Sequence, residues 1–229
     1  MGGHWTWYSN IHALEHFPFQ ILCAGTAAAV ILLLSLAVRR RYATDSIVPD
    51  GSITLRGVSE LGIEKLLGLF QSVMGEKEGR TFFPLLGALF IYIFINNVLG
   101  LVPGMLPATE NINTNAACAI TVFVFYNAMG FKRNGVGYLK HFTGPIWWLA
   151  FLMIPLELIG HVVRPVSLSI RLFGNMTGDH MVLGIFSELT KFGVPVIFYG
   201  LGLFVCFIQA LVFTLLSMVY INMAIAHDH

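Results

Sequence analysis

Long apolar runs separated by short polar stretches dominate the pattern of this chain. They cover about residues 19–38, 82–102, 115–131, 146–179 and 193–226. Because about 20 apolar residues carry a helix across the hydrocarbon core of a bilayer, each run predicts a membrane-spanning helix. The last two runs exceed 30 residues. That is too long for an upright span, so we expect these two helices to be tilted.

A shorter segment, about residues 57–75, has a mixed pattern. Leu66, Leu69 and Val73 fall near one face of a helix drawn through it, and Glu64 falls mostly elsewhere. This predicts an amphipathic helix along the membrane surface, with a soluble connector as the alternative. The predicted fold class is therefore an all-α integral membrane protein. It has about five spanning helices and one amphipathic surface helix, in a single membrane domain over residues 1–229.

Composition agrees with a membrane protein and excludes several other classes. The chain is 56% hydrophobic and 11% charged, whereas soluble domains carry about 25% charged residues. Its net charge of +1 gives no reason to expect a nucleic-acid partner. Cys23, Cys118 and Cys206 lie in apolar segments and are too scattered for a disulfide framework or a zinc site. No P-loop or Rossmann fingerprint occurs, so we expect the chain itself not to bind nucleotide. We also expect neither a metal nor a cofactor.

The positive charges predict an orientation. Of the 13 lysines and arginines, seven lie in residues 39–80 and three in 132–140. The first 38 residues and the loop 103–114 have none. Cytoplasmic loops are rich in Lys and Arg, so we expect the N-terminus outside and the C-terminus in the cytoplasm. Without a transit peptide, this pattern favours a bacterial plasma (inner) membrane.

Polar side chains recur along one side of the long fourth run. The polar positions are Glu157, His161, Arg164, Arg171, Asn175 and Asp179, and Leu168 completes the series at steps of three and four. On a helix they fall within a band of about 80°. An arginine at mid-membrane costs about 2.5–3.5 kcal/mol on insertion scales. The stripe is therefore expected to face protein or water, and a purely structural helix interface is the alternative to a functional one.

The residue types in the stripe suggest proton movement. Arginine keeps its proton, so Arg171 is a fixed cation. Glu157, Asp179 and His180 can each bind and release a proton, as can His161. Ionisable groups on both sides of a permanent cation predict two proton paths with a barrier between them.

Two further polar sites lie in other runs. Gln209 is in the middle of the last run and is expected to hydrogen-bond within the bundle. Asn96 and Asn97 lie near the end of the second run. We expect them either to line a water-filled cavity or to cap the end of the helix.

Three segments carry a resemblance to a known family. "PVSLSIRLFGNMTGDH" (165–180) resembles the signature of subunit a of the F-type ATP synthase. "NNVLGLVP" (96–103) and "IQALVFTLLSMVYINMA" (208–224) resemble other parts of that subunit, so the likeness runs nearly the full chain. It implies a proton-translocating stator channel with two offset half-channels that serve a carboxylate on the c-ring. Proton flow is thereby coupled to rotation and ATP synthesis. Nucleotide chemistry belongs to other subunits.

The resemblance also assigns roles to residues. It implies that Arg171 faces the c-ring carboxylate and separates the half-channels. The positions of Glu157 and Gln209 are tied to the proton path, and Asn97 and Asn175 line the half-channels. The implied partners are the c-ring, the peripheral-stalk b subunits and the lipid bilayer.

One departure from that family concerns the outer half-channel. Family members commonly pair a titratable residue just after G-N-M with another in the final helix. Here the first is His180, whereas the second position is Gly202, which cannot titrate. We expect the outer half-channel to use His180 and Asp179, with Glu110 or Glu188 as further options.

Two other protein classes predict different sequence features. An autonomous secondary transporter predicts repeated halves with matching broken helices, and no such symmetry is apparent. "HALEH" (12–16) fits the H-x-x-E-H pattern of a metallopeptidase. It precedes the first run and suggests no third ligand, so chance and histidines at the outer membrane surface are the favoured interpretation.

Overall fold

A computed structural model describes residues 19–42, 54–105, 107–135, 150–189 and 193–225. The HALEH motif, the C-terminal "AHDH" and the side chain of Glu188 lie outside this description. The described ranges contain helices and turns without strands, which confirms the all-α prediction.

Six α-helices and one short 3₁₀ turn make up the described structure. They are α1 (Phe19–Tyr42), α2 (Leu55–Met74), α3 (Glu76–Gly100), the 3₁₀ turn (Ala108–Glu110), α4 (Ile112–Asn134), α5 (Ala150–Leu189) and α6 (Val194–Ile225). All except α2 and the 3₁₀ turn are long and apolar enough to cross a membrane. The prediction of five spanning helices and one further amphipathic helix is thus confirmed.

Helix boundaries differ from the sequence prediction mainly in α5. Pro155 and Pro165, residues that commonly kink or end a helix, lie inside this 40-residue helix without ending it. It runs ten residues past the predicted end at Asp179. Pro195 is the second residue of α6, where the missing N–H has no helical partner to lose.

The chain divides into two compact units, residues 1–107 and 108–229. In the first unit, α1, α2 and α3 pack against one another. Thr54 caps α2 by accepting a 3.3 Å hydrogen bond from the Gly57 amide. Gly75, with φ of 86°, turns the chain directly into α3. Glycine adopts this positive φ at no steric cost, so α2 and α3 form a tight helical hairpin.

In the second unit, α4, α5 and α6 pack pairwise, and the 3₁₀ turn packs against α4 and α5. Tyr126, Leu172, Phe213 and Met218 are among the fully buried side chains of this core. Much of α5 remains uncovered, and Phe151 at its start is 91% exposed. An apolar surface of this extent indicates contact with lipid or with another subunit.

Candidate functional site

The polar stripe of α5 runs along the border of that helix's buried face. The buried face consists of His161, Leu168, Leu172, Met176 and Leu183. At 100° per residue, Arg171 lies about 100° around the helix from the centre of this face. The stripe is therefore split: some members point into the unit, and others point away from it.

Arg171 belongs to the outward-pointing part. Its side chain is exposed, as are Gly174, Asn175 and Gly178. Within the described chain no carboxylate lies within ion-pair distance of Arg171. A Cβ built at Gly174 or Gly178 meets no atom within 4 Å. The surface around Arg171 thus has room for the close approach of another helix.

Arg164, seven residues earlier, is held by its own chain. One of its terminal nitrogens lies 3.7 Å from Oε1 of Glu157. Its guanidinium carbon is 5.5 Å from the centre of the Tyr220 ring in α6, which is a cation–π distance. The two arginines of the stripe therefore have different surroundings: Arg164 has partners in its own unit, whereas Arg171 has no ion-pair partner among the residues that the structure describes.

His161 lies inside the unit, between α4 and α5. Its Nε2 is 3.1 Å from Oδ1 of Asn127. Asn127 uses its Nδ2 to donate to the Phe123 carbonyl, so the Nε2 of His161 is the donor. The rings of Phe123 and Tyr126 meet the imidazole edge-on at 5.8 and 5.4 Å. These contacts fix α5 against α4 near Glu157.

Asn175 and Gln209 join α5 to α6. Asn175 Nδ2 donates a 2.6 Å hydrogen bond to Gln209 Oε1, and Gln209 is buried. This confirms that Gln209 hydrogen-bonds within the bundle. In contrast, Thr214 and Ser217 of α6 bond to backbone carbonyls of their own helix. The pair therefore places two polar amides one turn from Arg171.

His180 contacts the 3₁₀ turn. Its Nδ1 lies 3.1 Å from Oε2 of Glu110, and both side chains are partly exposed. The neighbouring Asp179 is half-buried and close enough to the Cys206 thiol of α6 to interact with it electrostatically. Asp179 Oδ2 is shielded and has no hydrogen-bond partner among the described residues. The two adjacent ionisable residues of α5 thus face different neighbours.

Asn97 belongs to the first unit, near the end of α3, and is buried there together with Asn96. Asn96 donates to the Tyr92 carbonyl one turn back, at 2.8 Å. This side chain is therefore bonded within its own helix rather than capping the helix end. The described residues contain no group of three or more His, Cys, Asp or Glu suited to a metal ion.

Tyr126 and Asn127 were missed from the sequence as members of the site, and Tyr220 was given no role in it. They support His161 and Arg164 from α4 and α6. Asn127 could have been identified from the sequence, because an amide side chain in the middle of a spanning helix needs a hydrogen-bond partner. The two tyrosines could not, because aromatic residues are common in such helices.

Comparison with known proteins finds a family and many relatives. The family model described as "ATP synthase A chain" matches residues 21–222. A protein of Bdellovibrio bacteriovorus named ATP synthase subunit a is 45% identical over 226 residues, covering 97% of this chain and 98% of its own. One of the same name from Trichlorobacter lovleyi is 48% identical, covering 96% and 92%. Another, from Geobacter sulfurreducens, is 43% identical and covers 93% of each chain.

Proposed function

This chain belongs to the ATP synthase A chain family, and from that premise we propose that it is the proton-translocating stator channel of an F-type ATP synthase. Two offset aqueous half-channels deliver protons to and from a carboxylate on the c-ring, and Arg171 separates them. Proton flow through the half-channels drives rotation of the ring and thereby ATP synthesis. The chain is non-catalytic, and nucleotide chemistry takes place on other subunits.

The contrast between Arg164 and Arg171 carries this proposal. Arg164 is neutralised by Glu157 and covered by Tyr220. Arg171 is exposed on a helix that is long and apolar enough to span the membrane. A guanidinium in lipid costs about 2.5–3.5 kcal/mol. A carboxylate on a neighbouring subunit would offset that cost, and the exposed Gly174 and Gly178 leave room for such a neighbour to approach.

The proposed proton path begins outside. A proton reaches the ring carboxylate by way of His180 and Asp179, with Asn175 and Gln209 lining the outer half-channel. The neutral carboxylic acid then travels through lipid as the ring turns. When it returns to Arg171, the cation favours the ionised carboxylate and the proton is released.

The inner half-channel completes the path. The released proton leaves past Glu157, in the neighbourhood of His161 and Arg164. The membrane potential contributes about 2.3 kcal/mol per proton for each 100 mV. Direct passage from one half-channel to the other is blocked, because Arg171 repels a proton and does not give up its own.

The proposal includes a location and partners. The subunit is a multi-pass protein of a bacterial inner membrane, with its N-terminus outside and its C-terminus in the cytoplasm. The Lys- and Arg-rich segments 39–80 and 132–140 support this orientation. The partners are the c-ring beside α5 and α6, with both helices tilted in the membrane, and the b subunits of the peripheral stalk. The amphipathic α2 lies along the membrane surface.

Cysteine cross-linking to the ring tests the proposed interface. Single cysteines are placed at Gly174 or Gly178 after the three native cysteines are replaced by alanine. We expect both to cross-link to a ring cysteine beside the essential carboxylate. Val166→Cys is the matched control, because Val166 is also exposed but lies about 140° around α5 from Arg171. Equal cross-linking from Val166→Cys would contradict the proposal.

Proton pumping tests the role of Arg171 itself. In inverted vesicles that hold the whole synthase, Arg171→Lys should impair ATP-driven pumping, since a desolvated ammonium can lose its proton. Normal pumping by this variant would exclude the mechanism. Ion transport by the purified chain alone in liposomes would instead favour the secondary-transporter alternative.

A further inference from the structure

The outer end of α5 holds a histidine–glutamate contact whose acid comes from outside the spanning helices. Glu110 is the last residue of the 3₁₀ turn, and its Oε2 lies 3.1 Å from His180 Nδ1. The glutamate side chain is 30% exposed and the histidine 27% exposed. Both groups are therefore close to water while they remain in hydrogen-bond contact with each other.

Hydrogen bonds and burial hold the backbone of the 3₁₀ turn in place, and this positions Glu110 next to His180. Asn115, in the first turn of α4, is buried and donates a 2.7 Å hydrogen bond to the Thr109 carbonyl. Ala108 and Thr109 are also buried. The Asn111 amide donates to the Ala108 carbonyl and closes the turn. The backbone that carries Glu110 is thus fixed against α4 and α5.

The last helix cannot supply an acid or an imidazole to this end of the site. From Val194 to Ile225 the sequence of α6 contains no Asp, Glu or His. His180 lies nine residues from Arg171, which is about 13 Å along a helix at 1.5 Å per residue. A proton cannot cross that distance in one step, so groups between water and Arg171 must carry it.

The described side chains follow one another along α5 from the 3₁₀ turn towards Arg171. Glu110 and His180 are at the exposed end, Asp179 follows with one shielded oxygen, and Asn175 with Gln209 lies one turn further. We propose, on the basis of the function proposed above, that Glu110 is the outermost proton carrier of the outer half-channel and passes protons to His180.

The proposed step conserves protons. The Glu110 carboxylate binds a proton from water and transfers it along the 3.1 Å contact to Nδ1 of neutral His180. The imidazolium then releases one proton inward, towards Asp179. Glu110 returns to the carboxylate, and His180 to the neutral imidazole with its proton on Nδ1. Exchange of that proton to Nε2 through water restores the starting tautomer, so one proton enters and one proton leaves.

Passive proton conduction tests this role. Inverted membranes that hold the whole synthase are stripped of the catalytic sector, and proton flux is driven by a potassium diffusion potential. Glu110→Gln keeps the shape of the side chain and an acceptor for His180 but cannot bind a proton. We expect it to slow conduction about tenfold. Proton carriers next to a reacting group contribute 10²–10⁴-fold, and water partly replaces a half-exposed one.

Two controls separate proton transfer from structure. Glu64→Gln removes an exposed carboxylate of α2 and should leave conduction unchanged. If Glu110→Gln assembles poorly, the exchange variant Glu110→His with His180→Glu decides the question. It keeps two titratable groups in contact, so we expect it to conduct within about threefold of the parent. An exchange variant that assembles but conducts no better than His180→Ala would overturn the inference.

Arg171→Gln, measured in the same membranes, distinguishes this inference from the proposed function. Loss of coupled pumping in Arg171→Gln together with conduction by Glu110→Gln within twofold of the parent would refute the role of Glu110 alone. Normal coupled pumping by Arg171→Gln would refute the proposed function, and the inference with it.

Discussion

Asn175 donates a 2.6 Å hydrogen bond to Gln209, and this bond joins α5 to α6 one helical turn from Arg171. Gln209 is 3% exposed, whereas Asn175 is on the exposed side of α5. Because Asn175 uses its Nδ2 in this bond, its Oδ1 remains available as an acceptor beside Arg171. The pair therefore links a buried amide of the last helix to the surface on which Arg171 lies.

A double-mutant cycle on this pair should reveal coupling. We expect Asn175→Ala and Gln209→Ala to show an interaction energy of about 0.6–1.7 kcal/mol, the range found for hydrogen bonds between membrane helices. The free energy of unfolding in a detergent titration is the measurement. Thr214→Ala is the control, because Thr214 bonds to its own helix at Ala210. A coupling for Asn175 and Gln209 no larger than that for Asn175 and Thr214 would contradict the assignment.

The two arginines of α5 should differ in their effect on stability. Arg164→Gln removes the contact with Glu157 and the cation–π contact with Tyr220, so we expect a loss of about 1 kcal/mol in the free energy of unfolding. Arg171→Gln removes an exposed side chain that has no ion-pair partner among the described residues, and should change the free energy of unfolding by less than about 0.5 kcal/mol. Unfolding of the purified subunit in detergent measures both. Equal losses would show that Arg171 has a structural partner.

The sequence predicted the helices well because apolar length and period decide them. It predicted less about α5. The spacing places the polar residues on one side of that helix, but in the structure some of them are buried in the unit and others are exposed. His161 points inward, where Asn127, 34 residues earlier in the chain, accepts a hydrogen bond from its imidazole. Arg164 is covered by Tyr220 from another helix. Such contacts depend on how helices pack. For the same reason, spacing alone left Glu110 and Glu188 as equal options for His180.

His161 should matter for packing as well as polarity. His161→Ala removes a buried ring from between Phe123 and Tyr126, and we expect a loss of about 2–4 kcal/mol in the free energy of unfolding. His161→Phe keeps a ring there but loses the hydrogen bond to Asn127, so about 1–2 kcal/mol is expected. Thermal denaturation followed by near-ultraviolet circular dichroism compares them. If the phenylalanine variant were the less stable one, a ring between Phe123 and Tyr126 would not stabilise the fold, which contradicts the prediction.

Two glycines of α3 should respond oppositely to alanine. Both lie inside the helix, where Gly→Ala normally adds about 0.5–1 kcal/mol of stability. A Cβ at Gly79, however, would lie 2.9 Å from both the Cα and the backbone nitrogen of Gln71 in α2. Backbone atoms cannot move aside as a side chain can, so Gly79→Ala must push the α2–α3 hairpin apart. A Cβ at Gly87 would meet only the Phe83 ring, at 3.7 Å, which is an ordinary contact. We therefore expect Gly79→Ala to lower the free energy of unfolding by about 1–3 kcal/mol and Gly87→Ala to leave it unchanged or raise it. Detergent titration of the two variants beside the parent measures this, and a stabilised Gly79→Ala would mean that α2 and α3 are further apart than the structure has them.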